Sequence, residues 1–156
     1  MSRLEVPFQY RTLWATGDLL LRAELDLLLK DASGKWRPET FLVDSGSEMT
    51  TMPAYRARQL GLPMPQQAAP GATHTQTGLS IRPGYLRVLV VGMDATEYVF
   101  PCFFLGDPAA PPPAGRAANA PRKLLGLSGV VDKLRIGFDG APTPYAPHGR
   151  LTAERQ

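Results

Sequence analysis

Between Leu19 and Leu29 the chain alternates, with Ala23, Leu25, Leu27 and Leu29 on one side and Arg22, Glu24 and Asp26 on the other. That period of two predicts a half-buried strand. Leu20 and Leu28 interrupt the polar side, so both ends are expected to be covered on two faces. Residues 30–35, with Asp31, Ser33 and Gly34, read as a turn. A second strand follows over 36–43, and Pro38 points to an edge or an irregular start. Residues 51–61 read as a short helix, capped at Thr51 or Met52, opened by Pro53 and closed by Gly61. Tyr55 and Leu60 would face the core, and Arg56 and Arg58 the solvent. The strongest strand signals are β-branched and aromatic runs at 85–92 and 98–106, joined by a turn at 93–96. Tyr98, Phe100 and Phe103 are expected in the core, with Cys102 an inert buried thiol among them. Ser128 can cap a short helix through Asp132 or Lys133, and residues 135–138 form a last strand. The pattern is mainly β.

Composition narrows the function without naming it. At 156 residues the chain makes one domain with its own core. Seventeen basic residues against fourteen acidic ones give +3, and no block of five like charges occurs, so nucleic acid is not an expected partner. One cysteine and two histidines, widely spaced, make neither a disulfide nor a metal set, and no cofactor is expected. Glu5, Gln9 and Arg11 interrupt any signal-peptide pattern, and no apolar run approaches a membrane span. A cytoplasmic protein without membrane contact is the expectation.

The chemistry concentrates at Phe41-Leu42-Val43-Asp44-Ser45-Gly46-Ser47. Strand-like residues run directly into Asp44, and a carboxylate leaving water needs something to satisfy it. Two readings stay open on this stretch alone. Asp44 is either the first residue of a polar turn with Gly46 behind it, or a catalytic carboxylate held at a strand end. Eighty residues later comes Leu124-Leu125-Gly126, followed by the short helix and last strand. Together the two stretches resemble the retropepsin-like aspartic proteases, over about residues 18–140. In that family an apolar-apolar-Asp-Ser/Thr-Gly motif precedes an apolar-apolar-Gly at similar spacing.

The resemblance implies an all-β retropepsin-like acid protease barrel with one or two short helices, working as a two-fold dimer. Residues 1–17 would be an N-terminal arm or strand, 18–140 the protease domain, and 141–156 a flexible tail. The family has a short connection where this chain has the proline- and alanine-rich stretch 107–122, which therefore reads as an insertion. Asp44 would be catalytic. Ser45 would hydrogen-bond across the dimer interface, and Gly46 would permit the tight turn. Leu124, Leu125 and Gly126 would support the site and the dimer. Gln76, Thr77 and Gly78 would form the tip of a substrate-covering flap, although an ordinary hairpin turn accounts for them nearly as well. The family's usual arginine after Leu-Leu-Gly is replaced here by Leu127-Ser128, which leaves Glu48 without its expected partner.

Acid–base peptide hydrolysis needs two carboxyl groups sharing a proton around a water, and the chain holds one such motif. The implied partners are a second copy of the chain, supplying a second Asp44, and a peptide or protein substrate. Two other classes remain open: a catalytically silent dimer that grips an extended peptide by strand addition, and an adaptor using the proline-rich stretch as a ligand.

Overall fold

The computed structural model describes residues 2–12, 16–67, 78–112 and 122–156. Among the described residues, eleven strands and one helix follow in order: β1 (Arg3–Pro7), β2 (Gln9–Thr12), β3 (Leu19–Arg22), β4 (Glu24–Lys30), β5 (Trp36–Val43), β6 (Thr50–Pro53), α1 (Ala54–Gln59), β7 (Ile81–Val90), β8 (Tyr98–Leu105), β9 (Leu124–Leu125), β10 (Leu134–Asp139) and β11 (Arg150–Arg155).

The turn at 31–35 makes β4 and β5 an antiparallel hairpin, with Leu25 opposite Phe41 and Leu29 opposite Arg37. Its driving force is local. The buried Asp31 carboxylate accepts from the Ser33 amide and hydroxyl, the Lys35 amide and the Arg37 guanidinium, at 2.7–2.9 Å. The Ser33 hydroxyl contributes most to holding this carboxyl below the usual range; burial opposes it, and Lys35 and Arg37 reinforce it. The inward residues of β4 are those the alternation predicts: Leu25, Leu27 and Leu29 are fully buried. They pack with Phe41, Val88, Phe100 and Phe104 inside a closed six-stranded barrel, ordered β4-β5-β9-β6-β8-β7.

Several expectations need correction. Thr50–Pro53 is a strand paired in parallel with β8, so the helix begins only at Ala54, with Pro53 as an extended cap that lends no side-chain hydrogen bond. Ala54 and Ala57 are its buried residues; Tyr55 is only half-buried, while Leu60, partly buried, packs against the core as expected. In β8 the inward phase takes Tyr98, Phe100, Cys102 and Phe104, leaving Phe103 half-exposed. Burial pushes the Cys102 thiol pKa up. Residues 127–133 form consecutive hydrogen-bonded turns and not a regular helix.

The largest correction concerns 141–156, expected as a loose tail. Residues 150–155 are β11, the middle strand of a separate sheet ordered β1-β11-β10. Leu151 and Ala153 are its buried residues, and Arg150 pairs with Asp139 at 2.8 Å. The leading segment is likewise structured: β1 enters this sheet, and β2 pairs with β3 as a separate two-stranded arm. Leu19, Leu20 and Leu21 are exposed on that arm, so the first end of the alternating segment is not covered on two sides. Residues 113–121 of the proline-rich stretch lie outside the described residues. No helix is long and apolar enough to cross a membrane, among the described residues.

Candidate active site

Two strands that flank a third hold Asp44 in place. β9 arrives from far along the chain and inserts between β5 and β6, parallel to β5 with Val43 opposite Leu125 and antiparallel to β6 with Thr51 opposite Leu124. Asp44 is the first residue past the end of β5. Its amide donates to the Leu125 carbonyl at 3.1 Å, and its carbonyl accepts from the Ser47 amide at 3.1 Å. The half-buried carboxylate accepts the Gly46 amide on Oδ1 at 2.9 Å. A β-carbon on Gly46 would stand 3.2 Å from that oxygen, so glycine lets the loop close over the acid.

Ser45 and Gly46 are exposed beside Asp44. The rest of the loop is fastened to the segment after β9. The Gly126 amide donates to the buried Thr50 hydroxyl at 3.1 Å. Leu127 donates to the Ser47 and Glu48 carbonyls at 3.0 and 3.1 Å, and Ser128 donates to the Glu48 carbonyl at 2.8 Å. Backbone amides thus brace the loop where the resemblance led one to expect an arginine side chain, and the Glu48 residue stays exposed. Asp44, Ser45, Gly46, Leu124, Leu125 and Gly126 therefore come together at one end of the barrel. Of the expected flap tip, Gly78 is described, with φ of 82°, while Gln76 and Thr77 lie outside the described residues. Two surface clefts of about 460 and 530 Å³, one around Leu62, Met64 and Tyr85 and one around Asp26, Pro38 and Lys123, do not include Asp44.

Sequence reasoning missed a charged cluster behind this loop. Glu39 on β5 has a side chain only 2 % exposed. It accepts from Arg56 of α1 at 2.9 Å and from Lys123, just ahead of β9, at 2.6 Å. The cluster ties the strand carrying Asp44 to the helix and to the strand beside it. Arg56, expected to be solvated, is one of its members. A signal was present: Glu39 shares the parity of Phe41 and Val43, both buried, and a carboxylate on a core-facing position demands a partner.

Burial alone would raise the Glu39 pKa, but hydrogen bonds from Arg56 and Lys123 outweigh it and hold the group below its ordinary range. A carboxyl with a lower pKa folded than unfolded stabilises fully above its unfolded value of about 4.3. That contribution is lost as pH falls toward the folded value. Arg56→Met is expected to cost about 2–3 kcal/mol at neutral pH, because Glu39 stays buried with one partner fewer. In urea unfolding the gap to the wild type should narrow as pH falls below the unfolded value of about 4.3 and Glu39 protonates. A gap that widens in acid would show that Arg56 acts through something other than an ionised Glu39.

Among the described residues no group of three or more His, Cys, Asp or Glu could hold a metal ion. No protein-family model and no curated protein matches the chain. Among solved structures, a retropepsin-like aspartic protease from Rickettsia conorii superposes on 97 % of this chain and 94 % of its own, with a TM-score of 0.50 and 17 % identity. The chain has the retropepsin-like fold. In this chain the inserted β9, the strand-end Asp44 and Gly46 form one hydrogen-bonded unit, built by residues 41–47 and 124–126. At this identity the shared property is architecture, and the chemistry has to be argued from Asp44 and its surroundings.

Proposed function

We propose that the chain is an aspartic endopeptidase that works as a homodimer, with one Asp44 from each copy. The observation that carries this reading is the placement of Asp44, at a strand end of a retropepsin-like barrel, with its carboxylate fixed by the Gly46 amide. A single carboxyl cannot both take a proton from water and donate one to a carbonyl at the same moment. Two Asp44 groups across a two-fold axis can, sharing one proton. The ionised member removes a proton from water as its oxygen attacks the scissile carbonyl carbon. The protonated member hydrogen-bonds the carbonyl oxygen as it gains charge. Collapse of the tetrahedral adduct breaks the C–N bond, and a proton passes to the leaving amine. Because the carboxyls are coupled, the pH dependence belongs to the pair, with activity greatest at acidic to mildly acidic pH. Ser45, exposed next to Asp44, would hydrogen-bond to the partner's loop.

The test is cleavage of a mixed peptide library at acidic and near-neutral pH, with and without a statine inhibitor that mimics the tetrahedral adduct. Cleavage blocked by the inhibitor supports the reading, and the cut sites report specificity. A folded dimer that binds peptides without cutting them would make the chain a silent recognition module instead. Dilution supplies a second check. Specific activity should fall as the protein is diluted below its dimer dissociation constant; activity unchanged over a wide range would rule out a site shared between two chains.

A further inference from the structure

The arm of β2 and β3 has two different faces. Directly opposed residues share a face of an antiparallel pair, and the register sets Tyr10 opposite Leu21 and Thr12 opposite Leu19. Tyr10, Thr12, Leu19 and Leu21 therefore line one face, and Gln9, Arg11, Leu20 and Arg22 the other. The polar face is satisfied in part by Arg11, which pairs with Glu24 through two hydrogen bonds at 2.7 and 3.1 Å. The apolar face is open: Tyr10 is 47 %, Leu19 64 % and Leu21 44 % exposed. Among the described residues, the Tyr10 ring meets His148 edge-on at a centroid distance of 4.6 Å. A lone two-stranded ribbon is marginal in water, and an apolar face of this kind marks a surface that another molecule covers.

The position of the arm selects the molecule. Its root is Ala23, whose carbonyl accepts the amide of Val43, the residue before Asp44, at 2.9 Å. On the other flank of β5, β9 leads into Leu127 and Val131, 39 % and 43 % exposed. Because β4 starts where β5 ends, and β9 runs parallel to β5, both apolar patches leave the barrel at the Asp44 end. A two-fold interface is self-complementary, so a patch on one side of the axis meets a different patch of the partner and the reverse contact repeats.

We propose that the arm clasps a second copy of this chain, its Tyr10, Leu19 and Leu21 face seated on the partner's turn around Leu127 and Val131. This rests on the two-chain site argued above, and adds the surface that holds the chains together. The experiment is sedimentation of an Asp44→Asn background, which avoids self-cleavage, alone and carrying Leu19→Asp with Leu21→Asp. Both arm positions are exposed, so circular dichroism should show the barrel intact. The dimer dissociation constant should rise by about a hundredfold or more, since two copies of the contact are lost. Leu127→Asp should weaken the dimer too, and adding it to the arm variant should cost less than the sum of the two effects. An arm variant that dimerises as tightly as its parent overturns the clasp while leaving the shared site intact, because the activity of the wild-type protein would still fall on dilution. A parent that is monomeric at every concentration overturns the clasp, and if the wild type then cleaves independently of dilution the two-chain site falls with it. Binding of the monomer to lipid vesicles through the arm would assign the face to a membrane surface and also overturn the proposal.

Discussion

Asp44→Asn is expected to lower kcat/KM on any cleaved peptide by about 10⁴-fold or more, while leaving dimerisation and thermal stability close to those of the wild type. One substitution removes both carboxyls of the proposed site, so base and acid are lost together, and each such role contributes about 10²–10⁴. The corresponding barrier increase is about 5.5 kcal/mol. Asparagine keeps an oxygen for the Gly46 amide, which Asp44 now accepts at 2.9 Å, so the loop has no reason to open. Mixing gives a sharper readout than the variant alone. If the site is shared, adding an equal amount of Asp44→Asn protein and letting the subunits exchange leaves roughly one quarter of the dimers with two aspartates. Activity per wild-type chain should then fall by about half. Undiminished activity in the mixture would mean that each chain works by itself, and surviving activity in pure Asp44→Asn would mean that another residue carries the chemistry.

Gly126→Ala should have the largest effect on stability of any conservative change near the site. A β-carbon there would stand 2.4 Å from the Met49 carbonyl carbon, 2.5 Å from its oxygen and 2.8 Å from the Thr50 nitrogen. These are backbone atoms of the segment that follows the Asp44 loop, so relief requires moving the loop or β9. Either movement stretches the bond from the Gly126 amide to Thr50. Overpacking usually costs about 1–3 kcal/mol, and a backbone contact belongs at or above the upper end. For a chain of this length that is a fall of about 6–12 °C in Tm. Gly140→Ala, where a β-carbon meets nothing within 4 Å, is the control and should be nearly neutral. If the two variants melt together, the close packing of β9 against the loop is not a source of stability.

How much of this was visible in the residues depends on the range of the interaction that decides each feature. The β4–β5 hairpin was legible because alternation and an Asp-x-Ser-Gly turn are local. Asp44 and Leu124-Leu125-Gly126 were legible as a pair because their order and spacing resemble those of the retropepsin-like proteases; Asp44 alone left a turn and a catalytic acid open. The phase of β8 was read one residue off at Phe103, since an apolar run with Phe103 and Phe104 adjacent offers no polar position to set it. β11 was missed for the opposite reason: Leu151 and Ala153 are its buried residues, among Arg150, Glu154 and Arg155. Such a strand exists because β1 and β10 receive it on either side, which no local pattern announces. Glu39 was readable from parity, but its partners Arg56 and Lys123 come from other elements and are fixed only by the fold. The openness of the arm was equally hidden, because Leu19 and Leu21 look the same in sequence whether a core or another chain covers them.

The insertion of β9 between β5 and β6 also orders events in time. Asp44 stands at one side of that junction and Leu124–Leu125 at the other, separated by most of the barrel sequence. Closing so long a segment is entropically slow compared with forming the local hairpins. The amide partners that brace the Asp44 loop, at 126–128, are delivered in the same step. A partly folded chain therefore presents its acid on an unbraced loop. For the proposed two-chain peptidase the delay would be protective: newly made chains, which are the nearest unfolded substrates, would meet no competent site until the barrel has closed around the Asp44 loop and two copies have paired.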